Sequence, residues 1–442
     1  MSIANLLRSR FLRDSATLQA GSLCLALGNL LGVVALSHVL GAHTQGELYL
    51  AVAIHSLLWF LTSLALGTVT IGQVARATQT NDSKAVAAWL GHLGRVTAVL
   101  ALGTIAIAWL VFPAGARSWL GSSVSDPDEI ATNAALLCLG PLIEVPRLVA
   151  LAGLSGTRRM ASVARIENGH EACRVVLVVV GAVVTGTARG PVFGMLCASA
   201  LGSLLAVEAW LRESRAGYLP GPTAVLRSIG ALPWREGLGE GFQMGVVRNI
   251  NIYASQILPA IILGRFGAPA WVAYLRVAQR FTDVPRMLMG GIGRTSLPVL
   301  AALDPHKDRA RLQSLYVRAS LLSGALVGAG LLTVLALAPL ITDALLPQDF
   351  LRPVLLCLWI LSPGVFVIGF SVVNDVFYLL TETLGAGIRL CLLGLLINTT
   401  LMTVLASQWP EEGVAYGLSF TIAWSFVHVL YAAHWFRHNR PA

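Results

Sequence analysis

The chain has 442 residues, of which 56% are hydrophobic and 12% charged, with a formal net charge of +9 and a mean hydropathy of +0.72. A soluble domain averages about 25% charged residues, so the composition excludes an ordinary globular protein and points to an all-α integral membrane chain. The positive balance does not call for nucleic acid, because Lys and Arg bias in membrane loops accounts for it.

Apolar stretches of bilayer length recur along the chain. They predict transmembrane helices at 16–40, 48–72, 86–112, 130–153, 171–188, 190–211, 240–263, 270–293, 313–338, 353–380, 387–407 and 413–435, about twelve in all. The N-terminal piece "IANLLRSRFLR" is amphipathic and suits the membrane interface, and the apolar run after it is too long for a cleaved signal. With the N-terminus inside, one set of loops holds nineteen Lys and Arg and the other only Arg117, Arg189, Arg265 and Arg352. The outer set collects acids instead, among them Asp126, Asp128, Glu129, Asp343, Asp349, Glu411 and Glu412. Both termini are therefore expected in the cytoplasm.

A charged, Pro/Gly-rich connection over 212–239 falls near the middle of the chain. It divides residues 1–211 from 240–442, each half expected to form a six-helix bundle. "LGAHTQGELYLAVA" from Leu40 and "LGRFGAPAWVAYLRVA" from Leu263 share an L-G, a short turn, and then Y-L-x-V-A. The match suggests an internal duplication, with parallel repeats related by a pseudo-two-fold axis along the membrane normal and a substrate path between the halves. No loop is large enough for a nucleotide-binding domain, and no Gly-rich stretch matches a phosphate-cradling loop. The six cysteines show no metal spacing, so no metal and no cofactor is expected.

The eighth predicted span carries "AYLRVAQRFTDVPR", residues 273–286. Arg276, Gln279, Arg280, Asp283 and Arg286 share one helical stripe, opposite Val272, Leu275, Val277, Phe281 and Met289. Each arginine at mid-bilayer costs about 2.5–3.5 kcal/mol, and about ten Leu, Val or Ile at roughly −0.5 kcal/mol each do not comfortably offset three. The stripe must face water, counter-charge or an anionic ligand. Asp283 is expected to neutralise one arginine. The alternative is a structural salt-bridge knot completed by Glu144 or Asp375.

Other polar residues lie in predicted spans. Arg248, Asn251 and Ser255 share a face of the seventh, His92 and Arg95 lie in the third, and Asn374 and Asp375 in the tenth. Glu144 and Arg147 sit in the fourth, flanked by Pro141 and Pro146. Glu144, Asp283 and Asp375 are candidates for ion coupling, with a plain Glu144–Arg147 pair as the alternative for Glu144. Arg174, Arg318 and Arg389 read as anchors reaching toward the interface.

"LSHVLGAHTQGELYLAVAIHSLLWFLTSLALGTVTIGQVAR" and "LAGLSGTRRMASVARIENGHEACRVV" resemble segments of the Wzx-type polysaccharide flippases of the multidrug/oligosaccharidyl-lipid/polysaccharide exporter superfamily. The resemblance implies two six-helix bundles around a cationic cavity, and translocation of undecaprenyl-diphosphate-linked oligosaccharide to the outer leaflet of the bacterial cytoplasmic membrane. It implies substrate-binding arginines on the first two spans of each half, here Arg248, Arg276, Arg280 and Arg286. Spans one and two hold no mid-membrane arginine, so the cationic load is lopsided. The implied partners are the lipid-diphosphate-linked sugar, membrane lipid, and a polysaccharide polymerase or glycosyltransferases of the same pathway. The protein is not expected to be an enzyme. A multidrug or cation antiporter of the same superfamily would need an acidic cavity. An O-antigen polymerase or membrane glycosyltransferase would need a larger outer loop than 113–129.

Overall fold

The computed structural model describes residues 10–62, 65–301, 303–305 and 307–438, and among these every regular element is helical. The chain folds as two compact units. Unit 1 comprises residues 1–40, 50–120 and 125–249; unit 2 comprises 41–49, 121–124 and 250–442.

Unit 1 begins in α1 (Arg10–Thr62), which leaves helical geometry at Gly41 (φ 69°, ψ 172°). That left-handed backbone costs glycine nothing and strains any residue with a Cβ. The break separates the first two expected spans at the L-G of the repeat. After α2 (Leu66–Gln79), helix α3 (Ser83–Trp119) starts where the Asp82 carboxylate accepts from the Ala85 amide at 3.0 Å, a standard N-cap. Helix α4 (Pro127–Leu137) is capped the same way by Asp126, with proline in its first turn. The fourth expected span is not one helix. It continues as α5 (Gly140–Ile143) and α6 (Val145–Gly156), bent by 42° at Glu144. Pro141 and Pro146, each lacking an amide donor, flank the bend.

Helices α7 (Met160–Thr185) and α8 (Arg189–Arg215) form a hairpin turned by Gly186. The fifth span thus starts earlier than its apolar run, because the polar stretch before residue 171 is also helical. A Cβ on Gly194 would stand 2.3 Å from the Leu177 carbonyl oxygen, so the two backbones touch there. Apolar side chains gain nothing by leaving lipid for each other, so close packing through small residues holds such a pair together.

The mid-chain connection is packed on unit 1. Its short helix α9 (Pro222–Arg227) lies against α3, where a Cβ on Gly91 would meet the Val225 carbonyl oxygen at 2.8 Å. His92 Nε2 lies 2.9 Å from the Glu236 carbonyl oxygen, and Arg95 donates to the Leu232 carbonyl at 2.9 Å while lying over Trp234. The Trp210 indole donates to the Pro220 carbonyl, and the Arg159 guanidinium covers the Tyr218 ring.

The unit boundary falls inside α10 (Leu238–Ile252). Unit 2 continues through a π turn (Tyr253–Ile257), α11 (Leu258–Phe266), α12 (Pro269–Ala301), α13 (Arg309–Leu345) and α14 (Gln348–Ile368). A 3-10 turn leads to α15 (Asn374–Leu380), followed by α16 (Leu384–Gln408), α17 (Gly413–Ala423) and α18 (Ser425–His438). Tyr316, Phe377, Tyr378, Trp435 and Phe436 make an aromatic core, in which the Tyr316 hydroxyl donates to Asn374 at 2.6 Å.

Among the described residues seven helical stretches are long and apolar enough to cross a bilayer, and the bent α4–α6 stretch brings the number to eight. The count of about twelve from hydropathy is not reached on this measure.

Candidate functional site

The arginine stripe rests on an interrupted helix. Pro259 has no amide to offer the carbonyl four residues back, that of Ser255. Gln279 Nε2 donates to that carbonyl at 3.0 Å. One residue on, the Gln256 carbonyl accepts from the Arg276 guanidinium, whose other nitrogen donates to Gln279 Oε1 at 3.2 Å. The π turn therefore turns backbone acceptors toward α12, as such turns do at functional sites. On the far side of α12, Val272, Leu275, Val277 and Phe281 are buried.

Arg276 is committed to this backbone. The other two arginines share one acid: Asp283 receives Arg280 on Oδ2 at 3.3 Å and Arg286 on Oδ1 at 3.4 Å. Its spacing of three residues to each side lets both carboxylate oxygens be used, so the one negative charge is shared between two arginines. The three side chains are 42%, 33% and 34% exposed for Arg280, Asp283 and Arg286. Three arginines against one acid leave a charge of +2 on the stripe, carried by forks whose single contacts to Asp283 are long. Such forks suit phosphate oxygens. Within unit 2 the salt bridges of Arg280 and Arg286 among the described residues go to Asp283, and Asp375 is exposed and makes none.

A second cluster lies in unit 1. Glu144, placed at the bend, accepts from Arg147 on Oε2 at 2.5 Å and from the Ser199 hydroxyl on Oε1 at 2.7 Å. His170 Nε2 stands 3.6 Å from Oε1. Ser203 donates to the Ile143 carbonyl at 2.7 Å, tying the bend to α8. Next to His170 on α7, Glu171 pairs with Arg174, and both bond Asn29 of α1. Arg174, expected to reach for the interface, is a member of this network, whereas Arg318 and Arg389 are exposed.

A family profile described as "Polysaccharide biosynthesis protein" matches residues 11–304. The chain belongs to that family. Among curated proteins, none matches this family member. Its fold is that of solved membrane transporters. A structure titled "Lipid II flippase MurJ, inward closed conformation" matches with a TM-score of 0.72 at 12% identity, over 95% of this chain and 87% of that one. An inward-facing multidrug resistance MATE family transporter of the MOP superfamily matches with a TM-score of 0.69 at 16% identity, over 94% and 95%. A MATE structure in the bent conformation gives 0.63 at 16% identity, over 98% and 97%. This polysaccharide biosynthesis protein is accordingly an all-α, multi-pass integral membrane protein with a flippase and transporter fold.

Of the predicted site residues in this family member, Arg276, Arg280, Asp283 and Arg286 come together on α12. Arg248 falls on α10, its side chain outside the described residues. Glu144 stands in the unit 1 cluster, and Asp375 opens α15 beside the buried Asn374. His170 and Ser199 were missed as partners of Glu144. They lie 26 and 55 residues from it in the chain, and a histidine in a polar stretch and a serine in an apolar run carry no signal of a distant partner. Pro259 was legible, but its consequence for Gln279 and Arg276 needed the packing of α11 on α12.

Proposed function

We propose that this protein carries undecaprenyl-diphosphate-linked oligosaccharide from the cytoplasmic to the outer leaflet of the bacterial cytoplasmic membrane, with both termini in the cytoplasm. The single observation that carries this reading is the net +2 stripe of α12, with Arg280 and Arg286 loosely held by one shared carboxylate. A diphosphate offers these forks the acceptors that lipid and protein do not. Membership of a polysaccharide biosynthesis family and a fold shared with a protein titled a lipid II flippase support the same cargo class. Alternating access moves the headgroup without making or breaking a bond in it. The shared MATE fold equally suits a drug antiporter, but a cationic drug would be repelled by this stripe.

Deletion of the gene should leave lipid-linked oligosaccharide in the cytoplasmic leaflet, and an intact copy should restore its export. Arg280→Ala should insert, reach normal abundance and fail to restore, with Arg280→Lys recovering little because lysine lacks the fork. Normal export with Arg280→Ala at normal abundance overturns the assignment of the stripe. Unchanged leaflet distribution on deletion overturns the cargo.

A further inference from the structure

We propose that Glu144 and His170 together form a proton-binding site in unit 1, the proton occupying the gap between Glu144 Oε1 and His170 Nε2. This goes beyond the flippase reading and holds whatever the cargo is.

The site is built from two directions. The bend at Glu144 interrupts the fourth span and turns its carboxylate toward α7 and α8. On α8, Gly202 leaves room for the imidazole: a Cβ there would lie 2.4 Å from His170 Cδ2. The ring is thus brought to Glu144, yet the pair stays 3.6 Å apart. That is beyond a hydrogen bond. His170 Nε2 is buried and has no hydrogen-bond partner among the described residues, and the same is true of Arg147 Nε. A buried polar nitrogen aimed at a carboxylate and left unbonded is costly unless something fills the gap. In the tautomer that keeps its hydrogen on Nδ1, Nε2 faces the carboxylate as a bare lone pair, and one added proton fills the gap without adding volume. It converts the facing atoms into imidazolium and carboxylate, which gain a charge-assisted bond by closing about 0.7–0.9 Å, from 3.6 Å to roughly 2.7–2.9 Å.

The surrounding charges are balanced before the proton arrives. Glu144 and Glu171 face Arg147 and Arg174, and His55 of α1 lies near Glu144. Helix α8 contributes Ser199 and Ser203 and no charge to the site. One added proton makes the cluster net positive, so it can be held only where Glu144 shares its charge between Arg147 and His170. Ser199 donates to the same Oε1 and competes with the imidazolium for it. The side chains of Glu144 and His170 are 22% and 10% exposed, so the site is shielded but not sealed from solvent. Because Glu144 sits at the bend and Arg147 opens α6, occupancy alters the contact that braces the two arms of the broken span.

The test is spectroscopic and needs no cargo. The full chain, purified in lipid nanodiscs with 15N-labelled histidine, has nine histidines, and the His170 signal is identified by its loss in His170→Gln. It should pass from the neutral to the imidazolium form as the pH is lowered through the range in which histidine changes charge, about pH 8 to 5. In Glu144→Gln the imidazolium fraction at a fixed pH within that window should fall several-fold, and in Ser199→Ala it should rise. If His170→Gln does not elute as a single species, the signal that moves in both Glu144→Gln and Ser199→Ala and persists in His55→Gln identifies His170. A His170 signal that stays neutral throughout, or that ignores Glu144→Gln, overturns the proposal and leaves a structural Glu144–Arg147 pair. Neither result bears on the cargo.

Discussion

Gln279 donates its side-chain amide to the Ser255 carbonyl at 3.0 Å, the carbonyl that Pro259 cannot serve. A proline on one helix and a glutamine on the next are therefore one structural device, and Arg276 completes it through the Gln256 carbonyl. Gln279→Leu removes this bond and sets an apolar side chain against the half-buried Ser255, at a cost of about 0.5–1.5 kcal/mol. Thermal unfolding in detergent should show a lowered midpoint. Gln279→Glu should be no better, since an ionised carboxylate cannot donate to a carbonyl.

Asp283→Asn removes the charge shared by Arg280 and Arg286. Two guanidiniums are then left beside each other and the stripe rises from +2 to +3. The unfolding temperature should fall at low salt and recover at high salt, as screening weakens their repulsion. Inorganic pyrophosphate should raise the unfolding temperature of this variant more than that of the parent. A variant that responds to neither salt nor pyrophosphate would show that the two arginines are not solvated.

The contact between α7 and α8 tests the small-residue argument. Gly194→Leu must push the backbones apart, because even a Cβ would stand 2.3 Å from the Leu177 carbonyl. Loss of folded, monodisperse protein is expected, with Gly194→Ala milder but measurably less stable. Leu204→Ala, at an exposed position on the same helix, should leave folding intact.

Arg95→Ala should release the connection from α3, since it removes the bond to Leu232 and the contact with Trp234. Limited trypsin digestion reads this directly, with cleavage after Arg227 or Arg235 expected to quicken several-fold over the parent. Unchanged cleavage would mean that the remaining contacts, those of His92, Trp210, Arg159 and Gly91, secure the segment without Arg95.

Composition and hydropathy by themselves determined the class of this protein: apolar runs of bilayer length leave few alternatives to a helical multi-pass chain. They also singled out the arginine stripe, because helical periodicity alone places residues 276, 280 and 283 on one face, and charge there violates the cost of burial in lipid. Glu144 was visible for the same reason, between two prolines. What the tertiary structure decided is which partners these residues have. Asp283 serves two arginines because both flank it at three residues, a choice that spacing permits and only side-chain geometry makes. Arg276 answers to a carbonyl twenty residues away, and Glu144 meets His170 and Ser199 on two other helices. Periodicity reports which face a residue occupies. It carries no information about what is packed against that face, and in a helical membrane protein small residues such as Gly194 and Gly202 settle that by letting backbones and rings approach.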